Sequence, residues 1–144
     1  MQRLSPSERS RRRAQVSWEQ AQDDLQQARE RIKKAPDTSC LLSMQGAINA
    51  LSSLPESQGI FQLPSYSVVE MLDVCVPMAA DLEAIRNRCY VLDGLLERDV
   101  MGNAQQKNIR FTSAYARTIH EAAQAVVQAV QEALNRDSET FFKP

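Results

Sequence analysis

Glycine and histidine are scarce here: four glycines and a single histidine, His120, in 144 residues. With so few glycines there is no Gly-rich loop to cradle a phosphate, and no Ser/His/Asp arrangement appears. Cysteines at 40, 75 and 89 never form a close pair, so they and the lone histidine leave little from which to build a zinc site. No metal and no cofactor is expected. The three cysteines are odd in number, widely spaced and set among apolar residues, which reads as small buried hydrophobes in a reducing, cytoplasmic compartment. No apolar run approaches the roughly 20 residues that span a bilayer, so no membrane association is expected. Several arginines occupy the first dozen residues, but no apolar segment follows them, which argues against a secretory signal. No useful length of chain alternates with period two, so no strand is expected. Tyr66, Tyr90 and Tyr115 are scattered and do not suggest a base-stacking platform.

What is present is a composition 43% hydrophobic and 24% charged, suited to an ordered helical protein. A chain of this length supports one domain with one core, here a core over about 15–135 with a basic extension at 1–13 and a tail at 136–144. The net charge of −1 hides an asymmetry, because residues 1–34 hold nine Lys/Arg against five Asp/Glu. Such a basic end can meet phosphate or simply be a solvated helix face.

Ser5-Pro6-Ser7-Glu8 has the form of a capping box with proline at the first helical position. The first helix should run to about Lys34, with Ala14, Trp18, Ala21, Leu25, Ala28 and Ile32 as a narrow apolar seam. Gln20, Asp24, Gln27 and Glu30 fall on its polar outer face, and the run Arg11-Arg12-Arg13 offers nothing to bury, so residues 5–13 should fray. Pro36-Asp37-Thr38 starts a second helix carrying Cys40, Leu41, Met44, Ala47, Ile48 and Leu51, which Leu54-Pro55 should end. Its small residues Ser43, Gly46, Ala47 and Ala50 would admit a neighbouring backbone. Ser67 and Glu70 cap a third helix that Pro77 stops or kinks. A fourth spans about Met78 to Val100, burying Leu82, Ile85, Cys89, Leu92 and Leu96 before Gly102-Asn103; a fifth runs from about Thr112 to Asn135. The expected fold is all-α, an antiparallel bundle of four or five helices.

Taken in order, these features resemble the HEPN family of small prokaryotic helical domains. The likeness rests on Trp18-x-x-Ala21-x-x-Asp24-Leu25-x-x-Ala28, on the run from Cys40 to Leu51, on the segment from Ser65 to Leu72, on Leu92-Asp93 and on the Ala-rich last helix. It covers about residues 15–135. The resemblance implies a domain that dimerises through a helix face or pairs with a minimal nucleotidyltransferase, as in toxin–antitoxin systems, and that can contact nucleotide or RNA. Ribonuclease members of the family place a histidine four to six residues beyond an Arg-Asn-like pair.

The stretch IRNRCYVLDG, residues 85–94, looks like the first half of that motif. Arg86, Asn87 and Arg88 are the candidate nucleotide- or phosphate-binding residues. Val91, Leu92 and Asp93, however, occupy the positions where histidine would fall. Without that base, RNA cleavage loses a factor on the order of 10² to 10⁴, and only Asp93 could replace it, alongside Arg86 and Asn87. His120, beside the last helix's seam, reads as a packing residue. A non-catalytic binding module is therefore expected. The alternatives are a degenerate metal-independent ribonuclease and a small helical subunit of a nucleoprotein assembly whose basic amino end meets nucleic acid. Phe141-Phe142 in the tail should dock on the bundle or on a partner.

Overall fold

The computed structural model describes residues 6–64, 66–100 and 111–137, with side chains described for all of these except 6, 96–100 and 137. Among the described residues there are five α-helices, α1 (Pro6–Glu30), α2 (Pro36–Ser57), α3 (Val68–Cys75), α4 (Arg86–Val100) and α5 (Ser113–Asp137), with a 3₁₀ segment at Ala80–Ile85 leading into α4. No strand occurs among the described residues. The all-α reading holds. Leu96, Gly102-Asn103 and Phe141-Phe142 carry expectations that lie outside the described residues.

α1 and α2 form an antiparallel hairpin. Ser39 Oγ donates to the Ala28 carbonyl at 2.6 Å near the turn, and Ser17 Oγ donates to Glu56 Oε1 at 2.5 Å at the far end. The seam residues Ala14, Trp18, Ala21 and Ala28 are buried, as are Cys40, Met44, Ala47 and Leu51 opposite them. Leu41 lies outside that face and is 58% exposed. The small residues of α2 do admit the neighbouring backbone: a Cβ on Gly46 would stand 3.3 Å from the Ala21 carbonyl oxygen and 3.3 Å from Leu25 Cδ2. Gly46→Val should therefore cost about 1–3 kcal/mol through overpacking against a rigid helix, read as a lower denaturant midpoint at unchanged m-value.

Four boundaries differ from the expectation: the fourth helix, expected from about Met78, begins only at Arg86 because Ala80–Ile85 is wound as a 3₁₀ segment, and the others concern α1 and α2. Where fraying was expected, α1 is helical from Pro6: Ser10 is buried, and the Arg13 guanidinium lies over the Phe61 ring, 5.0 Å from its centroid. Its other end comes early, since turns replace helix from residue 31. α2 continues through Pro55 to Ser57. Proline has no N–H for the carbonyl four residues back, which is that of Leu51, and the Cys75 thiol instead donates to that oxygen at 3.1 Å. The helix then closes at Gly59, whose φ of 85° suits glycine, with Gly59 N–H bonding the Glu56 carbonyl and Ile60 N–H that of Pro55.

α5 packs along α2 and runs antiparallel to α1. His120 meets the Leu25 carbonyl, and further along α5 Val127 shares a shallow cleft with Gln22. The carboxyl end of α5 thus lies at the same end of the bundle as the amino end of α1. The core is continuous, running from Trp18 and Leu51 through Met71, Leu72, Leu82 and Leu92 to Ile119, Val126 and Val130. No described helix is long and apolar enough to cross a membrane.

Candidate functional site

Arg86 is the first residue of α4 and is not free. It bonds Glu83 of the preceding 3₁₀ turn through Nε, and its Nη2 donates to Glu83 Oε1 at 3.0 Å and lies 2.8 Å from Asp73 Oδ1 on α3. The intrahelical Glu83 pair was legible from the three-residue spacing; the Asp73 bridge was not. These hydrogen bonds, Glu83 first and Asp73 second, push the guanidinium pKa above its ordinary value, and the same contact holds the Glu83 carboxyl below its own. With Glu83 and Asp73 both paired to it, the Arg86 guanidinium is neutralised and has no free charge to offer a phosphate. Asn87 and Arg88 are exposed.

Asp93, almost two turns along α4, faces the amino end of α3. Its Oδ1 accepts the Val68 N–H at 2.7 Å, and Oδ2 accepts the Val69 N–H at 3.0 Å and the Ser67 hydroxyl at 2.8 Å. Ser67 Oγ accepts the Glu70 N–H at 3.2 Å as the expected N-cap. A helix amino terminus attracts an anion through unpaired N–H groups and the dipole, and here the chain's own carboxylate fills that place. Both oxygens are thereby occupied by capping donors, so the carboxylate is engaged in holding α3 to α4.

The remaining reactive groups are quiet. Burial pushes the thiols of Cys75 and Cys89 up to about 12, with a smaller contribution at Cys75 from Cys89 and at Cys89 from Asp93; such thiols are poor nucleophiles. No group of three metal-ligating side chains occurs among the described residues. His120 is buried, as its place beside the seam suggested, and its Nε2 lies 3.2 Å from the Leu25 carbonyl oxygen. Neither His120 nor its α1 partner belongs to the Arg86 cluster.

Desolvation, offset in part by that carbonyl, holds the His120 pKa below its ordinary value. The folded chain therefore prefers the neutral ring, and the unfolded chain binds the proton first as pH falls through about 6.5. Stability contributed by neutral His120 is present above that pH and is lost below it, down to the folded-state pKa. Chemical denaturation between pH 7.5 and 5 should show wild type losing stability relative to His120→Gln; parallel curves would refute the assignment.

The basic amino end that the sequence offered to phosphate forms, with a residue the sequence did not join to it, a surface at the start of α1. Arg9, Arg12, Arg13 and Val16 recur at spacings of 3, 1 and 3, one face of a helix, and with Phe61 they line an open groove of about 460 Å³. Arg13 Nε is 3.8 Å from Glu56 Oε2, and burial raises the Glu56 pKa against the lowering influence of Ser17 and Arg13. Val16 is 61% exposed, with Ile60 and Phe61 near 40%. The helical spacing of Arg9, Arg12, Arg13 and Val16 was the available signal; Phe61 reaches them only because α2 closes at Gly59.

Fold and sites together define an all-helical bundle with a cation-rich apolar groove and a neutralised Arg-Asn motif. Scans of protein-family models, curated proteins and solved structures give no match.

Proposed function

We propose that this chain is a non-catalytic helical binding module of the HEPN kind, which dimerises or pairs with a nucleotidyltransferase-type partner in the cytoplasm. The observation that carries the reading is the engagement of both halves of the Arg-Asn…Asp constellation: Arg86 by Glu83 and Asp73, and Asp93 by the amino end of α3. General acid–base catalysis needs a group free to exchange a proton with the reacting atoms, and the arginine that would steady phosphate charge is already neutralised. In this reading Arg86 is a brace between α3 and α4, and any contact with nucleotide or RNA phosphate falls to exposed Asn87 and Arg88.

Purified protein incubated with a mixed-sequence RNA should leave it intact, and light scattering should show a dimer at micromolar concentration. Cleavage that disappears in Arg86→Ala would replace this reading with the degenerate ribonuclease. A monomer that recovers neither protein nor nucleic acid in pull-downs would remove the binding module itself.

A further inference from the structure

The groove at the amino end of α1 combines two exposed apolar side chains, Val16 and Phe61, with three arginines, Arg9, Arg12 and Arg13. No ion pair joins Arg9 or Arg12 to another described residue, while Arg13 is committed to Glu56 and to the Phe61 ring. That commitment selects among anionic ligands. A single-stranded nucleic acid would stack bases on an open aromatic face, but a face of Phe61 is covered by Arg13, whose charge is itself paired with Glu56. An acidic peptide with large apolar side chains is served better: carboxylates meet Arg9 and Arg12 while the apolar groups cover Val16 and Phe61.

The chain contains such a segment. Residues 137–142 read Asp-Ser-Glu-Thr-Phe-Phe, two carboxylates followed by two phenylalanines. They begin at the carboxyl end of α5, which the antiparallel pairing of α5 with α1 brings to the arginine end of the bundle. Five residues reach up to about 17 Å when extended, comparable with the breadth of about two packed helices.

We propose that the groove formed by Arg9, Arg12, Val16 and Phe61 is the docking site for the acidic, aromatic segment 137–142 of the same polypeptide, an intramolecular occupant that a competing acidic partner would have to displace. The inference stands on the groove and the segment's chemistry, independently of the HEPN likeness.

The test uses the full chain and a fluorescein-labelled peptide of residues 136–144, followed by anisotropy. Wild type, its groove occupied, should bind the peptide at least tenfold more weakly than the Phe141→Ser/Phe142→Ser variant. Adding Arg9→Glu/Arg12→Glu to that variant should abolish binding, and a peptide with Glu139→Lys should restore it. Equal affinity of wild type and the phenylalanine variant, binding indifferent to the arginines, or no binding at all would overturn the proposal. So would a single-stranded RNA 12-mer that binds wild type through Arg9 and Arg12 and is not competed by the peptide. RNA cleavage and oligomeric state are separate readouts, so failure here leaves the binding-module reading to its own test.

Discussion

Asp93→Ala should destabilise the folded protein markedly: a loss of about 3 kcal/mol is expected from removing a charge-assisted cap with three donors, lowering the thermal midpoint by roughly 6–12 °C for a chain of this size. The reasoning starts from α3, which has only eight residues. A helix this short is not stable alone, so its free N–H groups and its attachment to α4 decide whether it forms. Asp93 supplies both, bridging Val68 N–H, Val69 N–H and the Ser67 hydroxyl from 24 to 26 residues away. Asp93→Asn keeps one carbonyl acceptor but turns an N–H-bearing amide toward the other donors, so it should recover at most half of the loss. Ser67→Ala, which removes a local cap alone, should cost about 1 kcal/mol. The sign separates a brace from a catalytic group, because replacing a residue held in place for catalysis commonly leaves stability unchanged or raises it. A midpoint at or above wild type for Asp93→Ala would end the structural assignment.

The same residues show what sequence could and could not reveal. Ser67 with Glu70, Arg86 with Glu83 and the seam of Trp18 are set by spacings of three and four along one helix, and each was legible. The contacts that redefine the Arg-Asn motif come from other helices: Asp73 lies 13 residues before Arg86, and the Val68 amide faces Asp93 only once α3 and α4 have folded together. Pro55 was misleading for a related reason. Its effect on α2 depends on who takes the Leu51 carbonyl, and Cys75 does so from α3. Asp24 was placed on a solvated face because its period matches Gln20 and Gln27, yet it is only 3% exposed. Periodicity cannot tell which side of an interface a polar residue ends on when its partner is itself polar.

That buried carboxylate gives the other large prediction. Asp24 Oδ2 accepts from Asn49 Nδ2 at 2.8 Å across the α1–α2 interface, and Oδ1 accepts from Gln20 Nε2 at 2.9 Å within α1. Asn49→Leu removes the cross-helix donor from a charge with no cation among the described residues, at an expected cost of about 2–3 kcal/mol. Asp24→Leu alone strands the Asn49 amide and should cost about 1–2 kcal/mol. Combining the two replaces a polar pair with apolar side chains of comparable size, and stability should return to within about 1 kcal/mol of wild type or exceed it. The double-mutant cycle would then show coupling well outside the roughly 0.5 kcal/mol expected of independent sites; simple addition of the two losses would contradict the pairing. What the pair supplies in place of stability is registry. The middle of the seam between α1 and α2 carries small residues, Ala21, Gly46, Ala47 and Ala50, whose similar sizes offer little resistance to a shift of one turn, while Trp18 and the Ser17–Glu56 and Ser39–Ala28 hydrogen bonds hold its ends. Only one alignment sets Asn49 opposite Asp24. The doubly substituted protein should therefore keep its denaturation midpoint while its amide spectrum shows more than one packed form, and a single sharp set of resonances would show that the small-residue seam fixes the alignment unaided.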